Sequence, residues 1–114
     1  MERMFGITPA TKRADEAVRR QVAARFNEEQ RKRIYAELTR AEARATHEAA
    51  QTYEPPFRDS AESNAFMALE DRLTDRFRRQ IEKQHRLTPV QRKAIEREGT
   101  QKDWPAPGIM KQRR

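Results

Sequence analysis

The side chains in this chain that could do chemistry are chiefly arginines: 19 of its 25 basic residues are Arg and six are Lys. Arginine's planar five-donor fork matches phosphates and carboxylates better than the point charge of lysine. Several of these cations follow an acid by four positions: Asp15–Arg19, Glu16–Arg20, Glu28–Lys32, Glu29–Arg33, Asp75–Arg79 and Glu82–Arg86. On a helix such pairs are neighbours and contribute about 0.2–0.5 kcal/mol each, so these cations are expected to be neutralised locally. Arg25, Arg40, Arg44 and Arg78 have no acid four residues before them, and Arg113 and Arg114 close the chain. These six are the candidates for phosphate contact, which would be independent of nucleotide sequence and strongly salt-dependent. No helix-turn-helix, zinc-finger or RNP-type aromatic pattern accompanies them, so specific base readout is not indicated.

Catalytic and metal-binding constellations are weak. The two histidines, His47 and His85, stand 38 positions apart. Glu82-Lys-Gln-His85 has the Glu-x-x-His spacing of carboxylate-bridged di-metal bundles, but those sites need a second such motif and further inward carboxylates, and neither is present in the sequence. With no cysteine, disulfides, thiolate metal sites and cysteine nucleophiles are excluded. There is no glycine-rich phosphate loop and no serine in a nucleophile motif. The expectation is a protein that binds rather than catalyses, with no cofactor, no metal and no small-molecule substrate.

A second candidate group is apolar and sits at the two ends. Met4, Phe5 and Ile7 precede the first helix, and Trp104, Ile109 and Met110 lie in the segment Trp-Pro-Ala-Pro-Gly-Ile-Met. Such a Pro-rich stretch suits docking as an extended peptide, because it loses little entropy on binding. The competing expectation is that Trp104 folds back over the apolar stripe of the helices. Both leave the indole buried.

The elements that must position these residues are set out by the breakers. Gly occurs only at 6, 99 and 108, and Pro only at 9, 55, 56, 89, 105 and 107. Between them, residues 10–54 and 57–88 are rich in the strong helix formers Ala, Arg, Glu and Gln. Thr8-Pro9 reads as an N-cap and first helical residue, opening a helix over about 9–51. Its apolar residues Val18, Val22, Phe26, Ile34 and Leu38 are spaced by four or eight. Each four-residue step rotates the stripe by about 40°, so the helix must bend, break or pack its halves on different surfaces. That drift also counts against a long left-handed coiled coil. Ala36, Ala41, Ala43, Ala45, Ala49 and Ala50 would let another helix approach closely.

Tyr53-Glu-Pro-Pro forms the connection, and Asp59 with Glu62 reads as a capping-box-like start. The helix over about 60–86 has the best amphipathic pattern in the chain. Phe66, Leu69, Leu73, Phe77 and Ile81 fall within an arc of roughly 120° and form the expected hairpin core. Thr88-Pro-Val-Gln91 is a capping box opening a short third helix over about 89–98, and Gly99 is expected to close it in a left-handed conformation. Residues 7–16 (ITPATKRADE) echo residues 87–96 (LTPVQRKAIE), either as two helix starts sharing Thr-Pro or as a duplicated docking element. The fold class is therefore all-α: an elongated helical hairpin plus a short third helix, with extended N- and C-terminal segments. An N-terminal docking segment (1–8), a helical unit (9–99) and an extended basic tail (100–114) divide the chain.

Composition bounds the function. Only 35% of the residues are hydrophobic, against about 45–50% in typical domains, and many of those are alanines. So small a core is expected to draw on contacts from a partner. The net charge of +7 is uneven: residues 1–52 carry +3, residues 53–86 are neutral and residues 87–114 carry +4. Arginine enrichment also follows from a GC-rich genome. No apolar run approaches the roughly 20 residues of a membrane span, and no secretory signal core is present, so an intracellular protein, or one in a particle assembled inside a cell, is expected. The expected function is a structural or adaptor component of a large assembly, such as a virus particle or a ribosome-like nucleoprotein. It would work through protein partners, its apolar-basic ends and its long helices. The alternative is a free-standing, sequence-independent nucleic-acid-binding regulator or packaging protein.

Overall fold

A computed structural model describes residues 9–106, with side chains from residue 13. Among the described residues there are four helices and no strand: α1 (Pro9–Arg25), α2 (Glu28–Thr52), α3 (Ser60–His85) and α4 (Pro89–Gln101). The architecture is the expected all-α hairpin, α2 against α3, with α4 packed on α2 and α1 packed on α4. Thr8, the expected cap of the first helix, lies outside the described residues.

The expected single helix over 9–51 is two helices. Asn27 stops the first and caps the second: its side chain accepts from the Gln30 N–H, and the Gln30 side chain accepts from the Asn27 N–H, both at 2.8 Å. This reciprocal capping box satisfies backbone donors that a continuous helix would pair internally. The break turns α1 so that Val18, Val22 and Phe26 meet the same core as Ile34 and Leu38. That core, completed by Tyr35, Leu87, Ile95 and Trp104, is the base of the molecule. Ile34, Leu38 and Ile95 have essentially no exposed surface.

Above the base, α2 and α3 pack through small residues. Ala41, Ala45 and Ala49 are buried, the latter two completely, and their four-residue spacing keeps them on one face. Phe77 of α3 packs onto Ala41 and Ala45. At the far end Phe57 and Phe66 meet with ring centroids 5.0 Å apart. Asp59 caps α3 as expected by accepting from the Glu62 N–H, whereas the Glu62 side chain accepts from the N–H of Arg58.

Two left-handed residues aim buried apolar groups at the base. Arg86 (φ 57°) ends α3, and the next residue, Leu87, donates its N–H to the Glu82 carbonyl. Asp103 (φ 56°) ends α4, and Trp104 N–H donates to the Gly99 carbonyl. Both are six-to-one closures of the Schellman kind, with a hydrophobic residue directly after the left-handed one. Gly99 therefore does not close α4, which runs on to Gln101. Gly99 is buried inside the helix for a different reason: a Cβ there would lie 2.3 Å from Cδ1 of Tyr35. The helix backbone rests on the tyrosine ring, and only a residue without a side chain permits it.

Two stability predictions follow from this geometry. Gly99→Ala forces the Tyr35 ring out of a packed site and is expected to lower the unfolding free energy by about 1–3 kcal/mol. Asn27→Ala is expected to cost about 0.5–2 kcal/mol, and both are read by urea denaturation followed by helical circular dichroism.

Candidate functional site

The arginines divide differently from the sequence expectation. Arg25 donates to the carbonyls of His85 (2.9 Å) and Arg86 (2.8 Å). It places a positive charge at the C-terminus of α3, where the carbonyl ends attract one. Arg78, far from being without an acid, holds Glu42 at 2.8 Å and lies 3.4 Å from Glu96. Arg44 pairs with Glu48, four residues after it, at 2.8 Å, and lies 4.2 Å above the Phe77 ring. Arg40 is exposed and has no carboxylate within ion-pair distance among the described residues. Arg113 and Arg114 lie outside the described residues.

Of the expected lacing pairs, Asp15–Arg19 (3.4 Å) and Asp75–Arg79 (2.6 Å) are present. The other four do not form; some of their members find different partners, and Glu16, Arg20, Arg33 and Arg86 have no ion pair among the described residues. Lys32 takes Glu29, Glu28 is 3.9 Å from Lys102, and Glu82 goes to Arg92.

These cross-helix pairs form two clusters. In the first, buried Arg92 of α4 holds Glu82 at 2.6 Å and Glu96 at 2.7 Å, and Glu96 also faces Arg78. Burial works against the charge of Arg92, but the hydrogen bond it donates to Glu82 and the two carboxylate charges outweigh it and raise its pKa. The cluster ties α4 to the side of the hairpin it covers. In the second, Arg31 donates to both oxygens of Glu98 (2.9 and 3.1 Å) and to the Phe26 carbonyl, while Lys102 adds a contact to Glu98 at 2.8 Å. Asp15 and Arg97 pair nearby, joining α1 to α4. Sequence reasoning missed both clusters, since their cross-helix partners are 10 to 82 residues apart and only Arg92–Glu96 and Glu98–Lys102 have a local four-residue spacing.

The apolar candidates also moved. Trp104 is buried edge-to-face on Tyr35, with centroids 6.0 Å apart, so it belongs to the base and not to a docking peptide. Met4, Phe5, Ile7, Ile109 and Met110 lie outside the described residues. Of the expected hairpin core only Phe77 is buried; Phe66, Leu69, Leu73 and Ile81 are half-buried, and Met67 is 55% exposed. The apolar arc of α3 is rotated relative to its contact with α2, so one edge of it stays open.

That edge is the candidate site. Opposite the α4 side, a shallow cleft of about 230 Å³ runs between Arg40, Ala41 and Arg44 of α2 and Phe77, Gln80 and Ile81 of α3. Glu37 closes one end, 2.9 Å from His85. Leu69 and Leu73 lie within about 20° of Gln80 around α3, and Arg76, Lys83 and Arg72 within about 80°. These three cations are exposed and have no carboxylate partner among the described residues. The face therefore combines an apolar floor with cations on both walls, while Glu37 and Glu48 are already engaged by His85 and Arg44. The signal for Arg72, Arg76 and Lys83 was present in their four- and seven-residue spacing along one edge of the apolar stripe.

Among the described residues no helix is long and apolar enough to cross a membrane, and no three His, Cys, Asp or Glu side chains gather as metal ligands would. Glu82 and His85 point to different partners, Arg92 and Glu37. Set against known protein families, curated proteins and solved structures, the chain matches none of them.

The Glu98 carboxyl sits below its ordinary value. Burial favours the neutral acid, but hydrogen bonds from Arg31 and Lys102 and their charges prevail. A depressed folded-state pKa stabilises the fold above the unfolded value of about 4.3 and loses that contribution as pH falls through the folded one. Glu98→Gln is expected to lower neutral-pH stability by about 1–3 kcal/mol and to flatten the acid limb of a plot of melting temperature against pH.

Proposed function

We propose that this chain is a non-enzymatic structural or adaptor component of a larger protein assembly, contributing a braced helical hairpin as a binding arm. The observation that carries this reading is the division of labour along the hairpin. On the hairpin, the contacts of α4 and Trp104 include Arg31 and Tyr35 in α2 and Arg78 and Glu82 in α3. On the opposite side the apolar edge of α3 is left half-open between two rows of arginine. A small base that spends most of its large apolar residues on bracing one hairpin suits a part that offers a surface.

The second reading, sequence-independent nucleic-acid binding, draws on the exposed cations Arg40, Arg72, Arg76 and Lys83. It is weakened because Arg25, Arg44 and Arg78 are occupied by carbonyls or carboxylates.

The two readings separate by native sizing in extracts of the source cells. An assembly component of 13.5 kDa elutes far above its own mass, stays there after nuclease digestion, and returns to monomer size when expressed alone. Collapse to monomer size on nuclease treatment supports the nucleic-acid reading, and elution as a monomer in the untreated extract overturns the assembly reading.

A further inference from the structure

We propose that the open face of the α2–α3 hairpin is a docking groove for an acidic amphipathic helix of a partner protein; this rests on the adaptor reading above and names the chemistry of its partner. Ala41, Phe77 and Ile81 give the cleft an apolar floor beside Gln80, and the half-buried Leu73 and Leu69 extend that edge along α3. Leu69, Leu73 and Phe77 follow one another at four-residue spacing, and Ile81 extends the line another turn. From Leu69 to Ile81 the strip is about 18 Å long at the rise of an α-helix, room for some three turns of a partner lying along it. The walls are cationic: Arg40 on α2 and Arg76 and Arg72 on α3 have no carboxylate partner among the described residues, while Arg44, paired with Glu48, lies over the Phe77 ring.

Each rival occupant lacks one of these features. A second copy of this chain would bring the same cations against themselves, and like charges set against each other disfavour association. A phosphate backbone would satisfy the arginines but gain nothing from Leu69 and Leu73, and Phe77, 4% exposed and covered by Arg44, offers no ring for bases to stack on. A bilayer surface would need apolar side chains that project, whereas Phe77 and Ile81 are recessed between two helices. A helix with leucines on one face and glutamates flanking them uses both floor and walls, as in helix-in-groove recognition. It would also place its carboxylates against arginine forks, which accept them two oxygens at a time.

The test uses the full-length chain and a synthetic amphipathic Leu/Glu peptide about 20 residues long, with fluorescence anisotropy as readout. The comparison ligands are poly-glutamate of equal length, a generic DNA duplex and anionic phospholipid vesicles. The peptide is expected to bind at least about tenfold more tightly than poly-glutamate, and Arg40→Glu/Arg76→Glu to weaken it by about tenfold or more. Both substituted positions are exposed, so unchanged helicity and melting temperature show that the loss is local. Leu69→Ser/Leu73→Ser is expected to bring the peptide down to the affinity of poly-glutamate. Equal binding of peptide and poly-glutamate, indifference to the charge reversal, or tighter binding of duplex or vesicles than of peptide overturns the proposal. A nuclease-resistant native complex together with a silent peptide assay rejects only the groove. Peptide binding by a chain that is monomeric in extracts rejects only the assembly reading.

Discussion

A straight helix through residues 9–52 would set Phe26 and Leu38 about 120° apart around its axis, and no single core could accept both. With so few large apolar residues available, leaving one set in water would forfeit much of what holds the base together, since each buried side chain of this size is worth about 1.5–3 kcal/mol. The chain meets this constraint at Asn27, where the helix stops and restarts at the cost of a few backbone hydrogen bonds. The capping box with Gln30 and the bond from Arg31 to the Phe26 carbonyl replace part of them. The rest of the fold depends on that turn. It brings α1 back along α4, which in turn presses Gly99 onto Tyr35 and places Trp104 against the same ring.

The polar groups follow from the small core. Charged side chains are seldom buried unless paired, yet Arg92 is buried, and Glu82, Arg31 and Glu98 expose less than a fifth of their side chains. They stand where a larger protein would have more aliphatic surface. Buried pairs of this kind add little net stability over apolar contacts, but removing one partner leaves the other desolvated and alone. They therefore act as a register device: α4 fits the hairpin in the one position where its Arg92 reaches Glu82 and its Glu96 faces Arg78.

Much of the secondary structure was legible because it rests on local chemistry. Pro9, Thr88 with Gln91, and Asp59 mark helix starts through groups three or fewer residues apart, and the alanine row of α2 announced a close neighbour. Pro9 and Pro89 of the echoed segments open α1 and α4, two helices that pack together. What was not legible depends on distant partners. Gly99 looked like a helix terminator, the usual meaning of a glycine there, and Asp103 and Tyr35 explain why it is not. Arg78 looked free because the acids it meets are on α2 and α4. Trp104 was open between tail and core, and the left-handed Asp103 before it decides for the core. The drift of apolar residues between Val18 and Leu38 did signal trouble in the first helix, but the break lies at Asn27, a residue that the helix-forming composition around it obscured.

The cationic open face has the same origin. The hairpin has two sides, and among the described residues one short helix, α4, covers one of them. The side that α4 covers gathers Glu42, Glu82 and Glu96, because Arg78 and Arg92 need acids once they are removed from water. Glutamates drawn to that side are not available to neutralise the other, where Arg40, Arg72, Arg76 and Lys83 are exposed and have no carboxylate partner among the described residues. The apolar edge of α3 is likewise half-open because the base uses up Trp104, Leu87 and Ile95. A sparse core, an asymmetric brace and a positive groove are thus one arrangement, and a partner matching the groove would have to bring what this chain lacks, apolar surface and negative charge on the same face.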